Sequence, residues 1–201
     1  MEVSKIHLSS AEIELMQNAE IILTKNRVLE KIKLLLEQVQ EQQINFTVKN
    51  NLTNEIFNIS PKISKGENYL GLPFLILDYP RQSSESNFFF IRTMFWWGNF
   101  FSCTLHLANY SKENFKNKIE KSYPQLSNYY ICINNDQWAH HFEKPNYQKI
   151  DSMTQKEFEE SCERFDHVKI AGRHSLAEWE KVPVELFEKW KFFLWICGLV
   201  S

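Results

Sequence analysis

The chain has 201 residues, 43% hydrophobic and 24% charged, a composition that fits one globular domain able to bury its own core. Its formal net charge is −2, with acids and bases interleaved along the length. That excludes the basic footprint of a nucleic-acid binder and of a polybasic membrane-surface protein.

Aromatic residues reach 14% and phenylalanine alone contributes 16, so the core or a binding surface must be rich in rings. Cys103, Cys132, Cys162 and Cys197 lack CxxC spacing and sit in apolar or periodic contexts. Reduced, packed thiols are expected, rather than a zinc site or a disulfide framework. The first residues lack the apolar run of a secretory signal, and the longest nearly apolar stretch, 192–200, is too short to span a bilayer. A cytoplasmic location is expected, with no membrane partner and no nucleic acid.

Residues 9–43 read as an N-terminal helical segment. Ser9 and Glu12 have capping-box spacing, and Ile13, Met16, Leu23, Val28, Ile32, Leu35 and Val39 mark apolar stripes. Thr24-Lys25-Asn26 is the weak point, so the pattern fits one long helix or two consecutive ones. No strict heptad persists, but the helix offers a route to a homodimer. Residues 45–48 and 55–59 could form short strands before Pro61 and Gly66 break the pattern.

Tyr69 to Tyr79 is a strand candidate whose Pro73 points to an edge or a bulge. A polar connection, 80–87, follows. Phe88 to Trp97 and Phe100 to Leu107 are rich in β-formers and flank Gly98-Asn99, which reads as a two-residue hairpin turn. Further on, helices are expected over 111–122 and from Thr154 to about Arg164. Strands are expected over 129–134 and 167–171. Residues 137–142 and 147–150 suggest a second hairpin. Pro183 opens a last helix that Gly198 closes, with Leu186, Trp190, Phe193, Leu194 and Cys197 on one face. The order of elements predicts a single α+β domain over 1–201, an antiparallel β-meander packed against N-terminal and C-terminal helices.

A two-residue turn would set Trp97 opposite Phe100 and so fix the faces. One face would hold Phe88, Phe90, Arg92, Met94 and Trp96 with Phe101, Cys103, Leu105 and Leu107. This is the expected core, and Arg92 would need a carboxylate such as Asp78. The other face would hold Phe89, Ile91, Thr93, Phe95 and Trp97 with Phe100, Ser102, Thr104 and His106. Apolar walls with a few polar groups are the usual make-up of a ligand site. Arg92, Thr93, Phe95, Trp97, Phe100, Ser102, Thr104 and His106 are therefore the candidate binding residues.

Two other clusters carry possible chemistry. His140, His141 and Glu143 could hold a metal, with His106 or His174 as a further ligand. Arg173 and His174 sit at an expected strand end, where loops often carry function. There is no phosphate-binding glycine loop, no H-E-x-x-H and no G-x-S-x-G. The expectation is a non-catalytic binding or interaction module that holds a small apolar molecule or a protein partner on an aromatic sheet face. The alternative is a metal-dependent hydrolase or oxygenase built on the histidine cluster. No cofactor can be named.

Overall fold

The computed structural model describes residues 5–200. Two helices come first, α1 (Ser10–Gln17) and α2 (Ala19–Lys49). The capping box forms: the Ser9 side chain accepts from the Glu12 amide, and the Glu12 carboxylate accepts from the Ser9 amide at 2.7 Å. The break falls at Asn18, whose side chain caps α2 through the Glu20 amide, and not at residues 24–26. Residues 45–48 continue α2 instead of forming a strand, because Thr47 is buried on the helix's inward stripe with Val39 and Gln43. Residues 55–57 form a single tight turn.

Seven strands form one antiparallel sheet in the order β1-β2-β3-β4-β7-β5-β6. They are β1 (Lys62–Tyr69), β2 (Leu72–Ser84), β3 (Asn87–Trp96), β4 (Phe100–Ala108), β5 (Tyr130–Cys132), β6 (Tyr147–Lys149) and β7 (His167–Ser175). Sequence reading missed β1, since Gly66 seemed to interrupt it. The Phe74 ring of β2 lies over Gly66, where an added Cβ would sit 2.2 Å from the ring, so the glycine is what lets the ring cover the strand. Pro80 falls in a bulge between Asp78 and Arg81, where a residue without an N–H is tolerated. Residues 137–142 form no strand; β6 pairs with β5 instead.

Helices α3 (Tyr110–Lys121), α4 (Gln155–Glu163) and α5 (Val182–Ile196) complete the chain. The expected apolar face of α5 is buried: Leu186, Trp190, Phe193, Leu194 and the following Cys197 have no solvent exposure. Each large apolar side chain so placed contributes roughly 1.5–3 kcal/mol relative to exposure. Trp190 also donates its indole N–H to the Tyr79 carbonyl at 2.6 Å and stacks on the Tyr79 ring. The main core thus lies between one sheet face and the helices, with Leu29, Ile32, Leu36 and Val39 of α2, Ile119 of α3 and Phe158 of α4 joining it.

Ahead of Leu29, neither α1 nor α2 buries a side chain. The inward stripe of α2 continues through Val28, which faces the hairpin tip, and Lys25, which pairs with Glu67 of β1, to Ile21. The first six residues of α2, 19–24, roughly 9 Å at 1.5 Å per residue, lie ahead of that pair.

Candidate functional site

The hairpin between β3 and β4 is wider than expected. Trp96 pairs with Phe100, and Trp97, Gly98 and Asn99 form a three-residue loop. Gly98 has φ +71, the left-handed conformation such loops need. The Asn99 amide donates to the Trp96 carbonyl at 3.1 Å, and its side-chain amide donates to the Trp97 carbonyl at 2.8 Å.

The shift of one residue leaves the faces of β4 as expected and exchanges those of β3. Phe89, Ile91, Thr93 and Phe95 face the helices with Phe101, Cys103, Leu105 and Leu107. Arg92, Met94 and Trp96 share the opposite face with Phe100, Ser102, Thr104 and His106. This register puts Arg92, Ser102, Thr104 and His106 on one side and leaves Thr93 on the other.

That second face is covered by the irregular segment 133–146, which forms a strap across it. Arg92 donates to both carboxylate oxygens of Asp78, at 2.8 and 2.9 Å, and its Nη1 lies 3.2 Å from His140 Nε2. A guanidinium has only donors, so His140 Nε2 accepts and is unprotonated. His106 Nε2 lies 3.0 Å from Gln137 Oε1. Lys169, directly opposite His106 on β7, is 1% exposed and donates to the Ala139 carbonyl at 2.6 Å. The Tyr69 hydroxyl accepts from the amides of His140 and His141, at 2.6 and 3.1 Å. Phe142 stacks on Tyr147 and meets Phe100 and Tyr130 edge-on. The strap is therefore latched at four points by polar bonds and at one by rings.

Burial governs the protonation of this layer. It pushes His106 down to about 3, with the Lys169 ammonium adding to the effect. His167 falls to about 4 for the same two reasons. His140 is held well below the ordinary imidazole value by burial, with Lys169 and Arg92 beside it. Lys169 itself drops to about 8, chiefly through burial. Burial raises the Cys132 thiol, as it raises Cys103 to about 12, so neither is a thiolate nucleophile at neutral pH.

Ser102, Thr104 and His106 are buried on this face, and His106 meets the strap through Gln137. Thr93 points into the helix-side core with no exposure. Among the described residues no group of three or more His, Cys, Asp or Glu is arranged to hold a metal ion. His140 is engaged by Arg92, and Glu143 is exposed away from it. Arg173 and His174 do not meet either. The strand end expected at residue 171 is absent, since β7 continues to Ser175, and alternation sends the two side chains to opposite faces. Arg173 lies over the Tyr130 and Phe142 rings, and His174 pairs with Glu185 of α5. Ser175 caps the short turn that follows.

Phe95 and Trp97 have a different setting. With Phe101 they form one wall of an apolar pocket of about 330 Å³ at the hairpin tip. Val28 and Ile32 of α2 make the facing wall, and Leu176 and Trp179, between β7 and α5, close one end. Trp179 lies 6.2 Å from Phe101, ring to ring. The sequence names Phe95 and Trp97 and puts Phe101 in the core; Val28, Ile32, Leu176 and Trp179 go unmarked as binding residues, because α2 and residues 176–179 are far from the hairpin in the chain. Lys169 was missed too, although a lysine between Val168 and Ile170 in a buried strand breaks the apolar pattern visibly.

Compared with models of known protein families, with curated proteins and with solved structures, the chain matches none.

Proposed function

We propose that the protein is a non-catalytic binding module that holds apolar side chains of a protein partner in the pocket at the hairpin tip. The observation that carries this reading is the pocket itself. It is open, almost entirely apolar, and built from Phe95, Trp97, Phe101 and Trp179 against α2. Aromatic residues around an apolar cleft are the usual anchors of protein interfaces. Arg92, His106, His140 and Lys169 are engaged in fastening the strap.

The test uses anilinonaphthalene sulfonate as an apolar probe, read by its fluorescence. The intact chain should bind it saturably, and Val28→Trp, which fills the pocket from α2, should weaken binding about tenfold or more, about 1.4 kcal/mol. Equal binding by both proteins would place the probe elsewhere and overturn the reading.

A further inference from the structure

A second pocket, about 360 Å³ in volume, lies at the other end of β3 from the hairpin tip. The 55–57 turn, Gln82 of β2, Asn87 of β3 and the first turn of α3 meet there. Its volume falls within the roughly 300–1,000 Å³ of small-molecule clefts. The floor is apolar: Ile56 is 4% exposed, and Phe115 meets Phe89 of the core edge-on. The walls are polar and carry little charge. Amide and hydroxyl side chains form them, Glu55 is the one charged group, and no lysine or arginine takes part.

Two asparagines of this pocket are fixed as donors. Asn54 Oδ1 accepts from the Ile56 amide at 3.1 Å, and Asn87 Oδ1 accepts from the Ser111 amide at 2.7 Å. A backbone N–H can bond only the oxygen of a side-chain amide, so the direction of each –NH2 group is set. Among the described residues neither –NH2 group has an acceptor, and the Gln82 and Asn114 side chains make no hydrogen bond. Ser111, the second residue of α3, is 4% exposed and lines the pocket, yet its hydroxyl has no partner among the described residues. Buried polar groups are normally paired, so these groups are left for whatever enters the pocket.

We infer that this pocket binds a neutral sugar. Charge argues against an ionic ligand. An anion would face the Glu55 carboxylate with no cation in the lining to offset it. A cation would face the –NH2 groups and the positive end of α3. A sugar hydroxyl both accepts and donates, so neighbouring hydroxyls can accept from Asn54 and Asn87 and donate to Glu55. Tyr110 stands at the rim, 70% exposed, where its ring can cover the C–H face of a sugar. The site is separate from the hairpin-tip pocket, and neither reading rests on the other.

The test titrates the intact chain with glucose, galactose, mannose and N-acetylglucosamine, followed by amide chemical shifts in nuclear magnetic resonance. At least one sugar should shift residues 53–56, 87 and 110–115 saturably in the millimolar range. Asn87→Asp keeps the oxygen that accepts from the Ser111 amide and adds a negative charge, which a helix N-terminus favours, so its thermal midpoint should hold or rise. It loses the –NH2 donor and should bind that sugar about tenfold more weakly. Tyr110→Ala, at an exposed position, should weaken binding by a similar factor. Resonances that no sugar moves would overturn the inference. So would inorganic phosphate or adenosine shifting these residues where the sugars do not, or a sugar affinity unchanged in both variants.

Discussion

Acid should destabilise this protein well above the range in which carboxylates titrate. His106 and His167, 3% and 5% exposed, are neutral in the folded chain and held at about 3 and about 4. Unfolded, each titrates near 6.5. Between these values the unfolded chain binds the extra proton, so stability is lost as pH falls below about 6.5. Integrating from about pH 7.5 to about pH 5, each histidine removes about 2 kcal/mol, and the pair about 4 kcal/mol. His140 acts in the same direction, because protonating its Nε2 would set an imidazolium against the Arg92 guanidinium. That loss is a large share of the 5–15 kcal/mol typical of whole domains.

Urea unfolding at the two pH values measures it. With a slope of about 2 kcal/mol per molar, the midpoint should fall by about 2 M. The His106→Gln/His167→Gln variant should be weaker at about pH 7.5 but lose most of this pH dependence. A wild-type midpoint that does not move, or a double variant that moves as far as the wild type, would refute the reasoning.

Two further expectations concern the strap. Asp78→Ala leaves the half-buried Arg92 without its carboxylate and should cost about 2–4 kcal/mol in urea unfolding; a change below about 1 kcal/mol would mean that the pair is unimportant. Lys169→Met removes a buried ammonium that donates to the Ala139 carbonyl. It should leave stability at pH 7 unchanged or raise it by about 1–2 kcal/mol, and a loss of that size would show that the Lys169 bond to the strap outweighs the desolvation of its charge.

Much of the fold is written in local pattern. The capping box at Ser9, Thr154 at the start of its helix, the β-rich runs on either side of Gly98, and the apolar face of the last helix each announce an element from its own residues. The hairpin's faces were not legible in the same way. Both Gly98-Asn99 as a two-residue turn and Trp97-Gly98-Asn99 as a three-residue loop suit the local sequence, and the choice inverts one strand. The deciding term is long-range. Only the wider loop puts Arg92 on the same face as His106, where Asp78 and His140 meet Arg92 and Gln137 meets His106. The strap was equally hidden: residues 133–146 have no periodicity, and they are held by Tyr69, Arg92, His106 and Lys169 from four separate strands. Phe95 and Trp97 were marked as binding residues by composition. Their partners Val28, Ile32 and Trp179 were not, because nothing local signals a wall contributed from another part of the chain.

That the apolar pocket at the hairpin tip is a binding surface is tested most directly by titrating anilinonaphthalene sulfonate into the intact chain and into Val28→Trp. Saturable binding that Val28→Trp weakens about tenfold or more is the predicted result, and equal binding by both proteins would contradict it.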